Sequence, residues 1–560
     1  MLAIMALLDM IGVASILPFM AVASNPNFIE TNFILKLVYQ KMNIFGVNND
    51  RQFLFFLGII VFLLLLISLA FKAFVTYLQA KFIHMREYSL SKRLVKIYIT
   101  QPYLWFLNRH SADLGKTILS EVNTIITAGL NGLFEIAAKG MLIIAIIILL
   151  LIVDPKMAIT VGFSLSVAYG LIYLFVRNNL NQLGAKRLHN NELRFTTVSE
   201  AFGAVKEIKI GGLENSYIGR FSKPAYIYSQ TTAIFIAIAN LPRFFLEAIA
   251  FGGALLIMLF IMSQNGNFNN ALPILSLYVF AGYRLMPALQ QLYSSWASLS
   301  FINPSLDQLY DDLIKLESYE ENNVNVTFKD TISLNNVYFS YPNASRTALV
   351  NISLNIPINS TVGLVGMTGS GKTTLSDIIL GLLDVEKGTL EVDGKVITKQ
   401  NARSWQRSIG YVPQHIFLAD DTISANIAFG IDPEKINQEA IEKASKIANL
   451  HDFVDRELPQ KYNTKVGERG VRLSGGQRQR VGIARSLYHE PKVLVFDEAT
   501  SALDNETEKA VMEAVNNLSK NITIIIIAHR LNTVKNCDII FKLEKGQLVK
   551  QGTYDKVIND

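Results

Sequence analysis

Hydrophobic positions along the chain follow two rhythms. As far as about residue 305, apolar residues run on for stretches longer than one face of a helix on a soluble core can use; past about residue 330 they come in short runs divided by polar turns. Crossing about 30 Å of hydrocarbon takes about 20 apolar residues in a helix, and six stretches reach that length. The first starts at Met1 and continues to Ala23, interrupted by Asp9; the others cover residues 53–78, 125–153, 157–176, 244–262 and 271–299. Asp154 and Pro155 read as a tight turn between the third and fourth. A secretory signal peptide would open on basic residues and close on a small-residue cleavage site. Neither pattern is present, so the first stretch reads as a span that enters with almost no leader, or one whose natural N-terminus lies further upstream.

Polar positions orient these spans. Lys81, Arg86, Lys92, Arg93, Lys96, Arg109 and Lys116 gather between the second and third, and Arg177, Lys186, Arg187, Arg194, Lys206, Lys209 and Arg220 between the fourth and fifth. The positive-inside rule makes both loops cytoplasmic. Six spans then place Met1 and everything after residue 305 on that same side. In the first external loop, residues 27–49, Ile34, Leu37, Val38, Lys41, Met42 and Phe45 recur at helical spacing with Lys36 and Gln40 off that face, which predicts an amphipathic helix on or near the outer surface.

Beyond residue 306 the composition turns to charge and Asn, predicting a final helix and linker to about 330. The remainder, 331–560, reads as α/β. Leu364 and Val365 lead into Gly366-Met367-Thr368-Gly369-Ser370-Gly371-Lys372-Thr373, and Val493 to Phe496 end in Asp497 and Glu498, as a buried parallel strand ends at the edge where such sheets do chemistry. Residues 421–480 read as a helical insert. No internal repeat is visible, so one chain carries one membrane half and one α/β domain.

Composition agrees with the membrane assignment. Half of the 560 residues are hydrophobic, only 18% are charged, and mean hydropathy is +0.29, values foreign to an ordinary soluble enzyme. The net charge of +6 could suggest nucleic acid, but the basic residues flank apolar segments and the membrane rule accounts for them, so no nucleic-acid partner is expected. Cys537 is the only cysteine, which excludes an intrachain disulfide and a thiolate metal cluster; it reads as a small buried residue.

The run from Gly366 to Thr373 fits the phosphate-binding spacing G-x-x-x-x-G-K-[ST]. Its glycines let backbone N–H groups and a helix N-terminus face polyphosphate, Lys372 adds a cation, and Thr373 offers a hydroxyl to magnesium. Asp497 suits the same hard cation, which wants oxygen ligands. Glu498, one residue on, is the candidate base for an attacking water.

Further motifs follow in order. Leu473 to Gln477 read LSGGQ, Ser501 to Asp504 read SALD, Gln414 ends YVPQ, His529 follows a run of isoleucines, and Tyr341 sits in YFSYP. On these the chain resembles the ATP-binding cassette (ABC) family across roughly residues 331–552. The fold class implied is a membrane bundle of six transmembrane helices of the type I exporter kind fused to a P-loop ATPase. The resemblance implies that Ser474, Gly475, Gly476 and Gln477 are a signature motif and Asp504 part of a D-loop, both reaching ATP. It makes Gln414 a magnesium and catalytic ligand, His529 the residue that holds the γ-phosphate, and Tyr341 the aromatic on adenine, with plain packing as the alternative for Tyr341. Gly366, Thr368, Gly369, Ser370, Gly371, Lys372, Thr373 and Thr374 would cradle ATP with Mg2+. It further implies a homodimer in which each ATP lies between one subunit's phosphate loop and the other's signature, a bacterial inner-membrane location, and two docking segments near residues 102–114 and 211–221, unless these are only solvated loops.

Importers of this superfamily generally split membrane and ATPase parts into separate chains, so the fusion implies export or flipping. A cassette ATPase acting on nucleic acid or ribosomes would not need six spans; an ATP-gated channel or regulator would, and transport against a gradient in sealed vesicles separates it from a translocase. For the cargo the chain resembles the lipid-linked oligosaccharide flippases of bacterial N-glycosylation, on the first-loop helix and on the stretches LPRFFLE from Leu241 and YRLMP from Tyr283. Exporters of lipid A, drugs or peptides share the architecture and remain the alternative. Three basic residues inside the spans, Lys72, Arg243 and Arg284, are expected to line the path and attract a pyrophosphate-linked head group. For Lys72 and Arg243 the competing reading is snorkelling to the head groups, with Arg243 also placed to pair with Glu247 one turn on.

Overall fold

The computed structural model describes the chain except residues 25–27, 43–48, 154, 264–267, 317–324, 343, 345, 499–504, 519–520, 529 and 560. It divides into two units, one of Met1–Gln101 with Asn108–Tyr319, the other of Pro102–Leu107 with Glu320–Asp560.

Among its described residues the first unit's regular structure is all helix. Helices Leu2–Ala14 and Ile16–Ser24 make the first span, broken at Ser15, whose hydroxyl donates to the Gly12 carbonyl at 2.8 Å. Then come Asp50–Ile99, a continuous helical run Ser111–Val153, and the helices Pro155–Gly203, Glu214–Ser263 and Phe268–Lys315. The last five of the six apolar stretches each lie inside one of these, and the first is shared by its two helices. At about 1.5 Å per residue the 50 residues of Asp50–Ile99 reach well beyond the hydrocarbon, so the helical character of the long loops is the continuation of the spans themselves. Among the described residues Leu2–Ala23, Asp50–Ile99 and Ser111–Val153 are each apolar enough to cross a membrane. Inside the bundle, small residues let helices approach: Ala6, Ala281 and Ala288 pack with Val13, Leu142, Ile146 and Leu285.

Towards the basic ends, polar side chains take over the interior. Arg187 donates from Nη2 to Glu121 Oε2 at 2.6 Å and to Ser305 Oγ at 2.7 Å, and Asn191 donates to Glu121 Oε1 at 2.7 Å. All four side chains are buried, and they tie three helices together. The helices cross close by at Gly184, where an added Cβ would lie only 2.0 Å from the Phe301 carbonyl oxygen.

Two expected segments take a more definite form. In the first loop the helix is Phe33–Met42, and the face it packs is Leu35, Val38 and Tyr39 against Phe19, Phe53 and Leu57, with Tyr39 edge-on to Phe53 at 5.0 Å. Leu37, assigned to the apolar face, is exposed; Phe45 lies outside the described residues. Neighbouring spans cover the Leu35, Val38 and Tyr39 side of this helix. Of the docking segments, only Pro102–Leu107 groups with the second unit, its Leu104 packed against that unit's core. The stretch 211–221 is a turn with Gly212 at φ +60° followed by the start of the helix Glu214–Ser263, and the short helix is Val205–Gly211 just before it. Gly211 and Gly212, both poor helix formers, end that helix where the hydrophobic pattern alone gives no stop.

The second unit holds strands β1 (Thr331–Phe339), β2 (Leu349–Pro357), β3 (Thr361–Val365), β4 (Lys387–Val392), β5 (Lys395–Val396), β6 (Ile409–Val412), β7 (Val493–Asp497), β8 (Thr523–Ala528), β9 (Ile539–Glu544) and β10 (Gln547–Gly552). An antiparallel sheet runs β2-β1-β4-β5, and a largely parallel one β10-β9-β3-β8-β7-β6. The central strands read as unbroken apolar runs because both faces are covered. Leu494, Phe496, Ile524 and Ile526 enter one core, and Val493, Val495, Ile525 and Ile527 the other. The residues 421–480 carry the helices Ile423–Ile427, Gln438–Ile447 and His451–Arg456 and the start of Gly475–Leu487.

Candidate functional site

Parallel pairing brings the carboxyl ends of β3, β6, β7 and β8 to one edge: Val365 lies beside Ala528, Asp497 beside Ile527, and Val412 beside Phe496. The residues that follow these strands are those singled out for phosphate chemistry. Gly366 has φ +156°, and a Cβ there would meet the Leu543 carbonyl oxygen at 2.3 Å; at Gly371, φ +101°, it would meet Leu349 at 2.8 Å. Only glycine lets the loop pass. Lys372 starts the helix Lys372–Ile379 and bends back to donate from Nζ to the Gly366 and Met367 carbonyls at 2.8 and 3.1 Å, bracing the loop it belongs to. Burial pushes its ammonium pKa down, while Glu498 and Asp497 pull it back up.

The loop borders a cavity of about 270 Å³ lined by Thr368, Gly369, Gly371, Lys372, Thr373 and Thr374, and by Arg346, Thr347, Ala348, Lys545 and Gly546. Ser370 is buried behind the loop, its carbonyl accepting from the Gly546 N–H at 3.0 Å. Arg346 and Lys545 escaped the sequence reading. They come from a loop and from the β9–β10 turn, and no spacing in the sequence ties either to the phosphate loop. Tyr341 is half-buried, edge-on to Phe339, with its hydroxyl 3.2 Å from Thr374 Oγ1.

At the β7 end Gln414 donates from Nε2 to Glu498 Oε2 at 2.8 Å, and the Tyr411 hydroxyl donates to Asp497 Oδ2 at 3.2 Å. Glu498 sits at φ +49°, a left-handed conformation costly for a non-glycine residue, with its N–H bonded to the Ile527 carbonyl at 3.1 Å. Thr373, Gln414 and Asp497 offer only oxygen donors towards a cation, the set magnesium prefers.

Asp377, on the helix that follows the loop, is buried, and burial followed by the Asp497 charge raises its pKa from 3.8 to about 6. The folded protein holds this proton more tightly than the unfolded chain. Stability is therefore lost as pH rises through that window, and the loss is complete above about 6. Asp377→Asn is expected to raise the melting temperature of nucleotide-free protein at pH 8, with the gain shrinking towards pH 5. Equal gains at both pH values would refute the assignment.

The signature residues occupy a different place. Ser474 caps the 13-residue helix Gly475–Leu487 by accepting from the Gln477 N–H at 3.2 Å, and Gln477 Oε1 in turn accepts from the Ser474 N–H at 2.7 Å. Gly475 and Gly476 form its first turn, whose N–H groups present a positive end. None of these residues lines the cavity at the phosphate loop. Asp504 and His529 lie outside the described residues.

In the membrane unit, two of the three singled-out cations come together. Arg284 Nη1 lies 3.4 Å from Asp9 Oδ1, and Lys72 has Lys139, Asp9, Arg284 and Glu135 as its charged neighbours. Arg243 is exposed and paired with Glu247 at 2.8 Å, the pairing named above as its alternative, while Lys139 joins the neighbourhood of Lys72 and Arg284. Asp9 had registered only as a break in an apolar run.

Residues 349–501 match the ABC transporter family and residues 27–283 the ABC transporter transmembrane region. The chain is 31% identical over 468 residues to an ATP-dependent lipid A-core flippase of Cupriavidus metallidurans, an alignment covering 82% of this chain and 77% of the relative. It is 32% identical to a heterocyst differentiation ATP-binding protein of Nostoc sp., covering 89% and 81%, and 30% identical to a putative multidrug export ATP-binding/permease protein of Bacillus subtilis, covering 81% and 78%. Its fold is that of a bacterial Atm1-family ABC exporter solved with ATP bound, at a TM-score of 0.82 and 23% identity over all of this chain and 95% of that one. A six-helix membrane unit on the same chain as a phosphate-loop ATPase, matched along both parts, makes this chain a member of the ABC transporter family, an exporter that couples ATP hydrolysis to transport across a membrane.

Proposed function

We propose that the protein is a homodimeric flippase of the bacterial inner membrane whose cargo is an amphipathic lipid with a phosphorylated head group. The observation that carries this reading is the gathering of Lys72, Arg284 and Lys139 among apolar helices, since cations kept in such surroundings mark a path or a ligand. Lipid-linked oligosaccharides or related polyprenyl-pyrophosphate glycolipids are the finer form of the reading, and the first-loop helix is its second support. The relative named a lipid A-core flippase favours the neighbouring choice, lipid A, which also carries phosphate.

In the ATPase, each ATP would lie between the Gly366–Thr374 loop of one subunit and the Ser474–Gln477 helix start of the other. Thr373, Gln414 and Asp497 would hold a magnesium ion, which neutralises phosphate charge when bound. Glu498, oriented by the Gln414 amide, would take the proton of the attacking water, with His529 at the γ-phosphate, Tyr341 on the adenine, and Asp504 at the shared interface.

Mass spectrometry of lipids co-purified with the Glu498→Gln protein tests the cargo. A polyprenyl-pyrophosphate sugar selects the finer form, lipid A the other, and co-purification of uncharged lipids alone would overturn the phosphate reading.

A further inference from the structure

Asp9 is placed for more than a break in an apolar helix. It is 3% exposed, and one oxygen, Oδ1, serves both the Ser68 hydroxyl at 2.8 Å and the Arg284 guanidinium at 3.4 Å. Arg284 is 20% exposed. The nearly fully buried carboxylate thus meets the more exposed guanidinium through Nη1, a contact that engages one arm of a fork carrying five N–H donors. Lys72, one turn beyond Ser68 on Asp50–Ile99, adds a second cation, and Lys139, 3.7 Å from Glu135, a third. Arg284, Lys72 and Lys139 thus face Asp9 and Glu135, one cation in excess, where an uncompensated charge is costly. A phosphate's oxygens suit an Arg fork flanked by lysine point charges.

We propose that Asp9 is a positioning residue for an anion site inside the membrane unit: through Nη1 it holds Arg284 in place so that the guanidinium, with Lys72 and Lys139, binds the phosphate of a lipid head group. This rests on the reading that the cargo is a phosphorylated lipid. The site draws on four helices, Leu2–Ala14, Asp50–Ile99, Asn131–Val153 and Phe268–Lys315, so its geometry changes when they move against one another.

The test uses the full-length protein in phosphatidylcholine nanodiscs, with ATPase stimulation titrated by a polyprenyl pyrophosphate and, separately, by the uncharged polyprenol. The wild type is expected to respond to the pyrophosphate and not to the polyprenol. Asp9→Asn keeps the shape and an acceptor oxygen but loses the charge; it is expected to raise the half-stimulating concentration about tenfold, the worth of one misplaced charge-assisted hydrogen bond. Arg284→Ala should raise it at least as far. The double variant should go no further than Arg284→Ala, because Asp9 acts only through Arg284. A general weakening of the fold would not produce that non-additivity. Wild-type behaviour of Asp9→Asn beside a shifted Arg284→Ala overturns the positioning role, as do shifts that multiply in the double variant. Equal responses of the wild type to both lipids, or none to either, overturn the phosphate-lipid reading and the site with it. If Asp9→Asn does not assemble, Ser68→Ala carries the test: a shift of about threefold that disappears in the Arg284→Ala background supports the role, and no shift overturns it.

Discussion

Glu498→Gln is expected to stop steady ATP turnover while ATP still binds. Removing a general base typically costs about two to four decades in rate, and the amide keeps the shape of the side chain that Gln414 now contacts at 2.8 Å. Phosphate release measured on the purified protein, with nucleotide binding read in parallel, checks both halves. Near wild-type release would show that another group takes the proton. The left-handed backbone at Glu498 bears on the same point: strain held at one residue at a strand end is tolerated where its placement matters, and the bond from its N–H to the Ile527 carbonyl keeps it there.

The second large effect is expected on stability. Arg187→Ala leaves Glu121 buried with its two remaining donors, Asn191 and Ser305, and no countercharge. Breaking a buried pair by removing one partner costs about 3–5 kcal/mol, so the variant should lose its monodisperse peak at a clearly lower temperature in a detergent melting series followed by gel filtration. Replacing both, Glu121→Met with Arg187→Met, should recover most of the loss, because an apolar pair of similar volume avoids the desolvation that the ions suffer. A single Arg187→Ala variant that melts with the wild type would mean that the pair is not holding these three helices.

These expectations draw differently on sequence and on structure. The long helices and the order of the ATPase motifs were legible because their causes are local. A helix that crosses hydrocarbon must be apolar for most of its length, and a loop that wraps phosphate must have glycine where a Cβ would strike Leu543 or Leu349. The carboxyl edge was legible for the same reason: Val493 to Phe496 had to be apolar on both faces to lie inside a covered sheet, and the two acids mark where that cover ends.

Where two distant segments share a decision, the sequence was silent or misleading. The first-loop helix shows its period but not its partner: Val38 of the expected face packs, together with Leu35 and Tyr39, against Phe19, Phe53 and Leu57 of the neighbouring spans. Arg346 and Lys545 look like any surface cations until strand order brings their turns to the phosphate loop.

What the amino-acid sequence determined by itself is therefore the set of elements and the chemistry each could carry: six spans, a phosphate loop, two acids at a strand end, and basic residues within the apolar stretches. Which charges meet was decided by tertiary structure alone. Asp9 and Arg284 come from the first and last of the six spans, Glu121, Arg187 and Ser305 from three different helices, and Arg243 pairs with Glu247 on its own helix. The physical reason is that a periodic pattern records only which side of an element avoids water. An ion pair depends on the distance and burial of two side chains, and those exist only after the helices have packed.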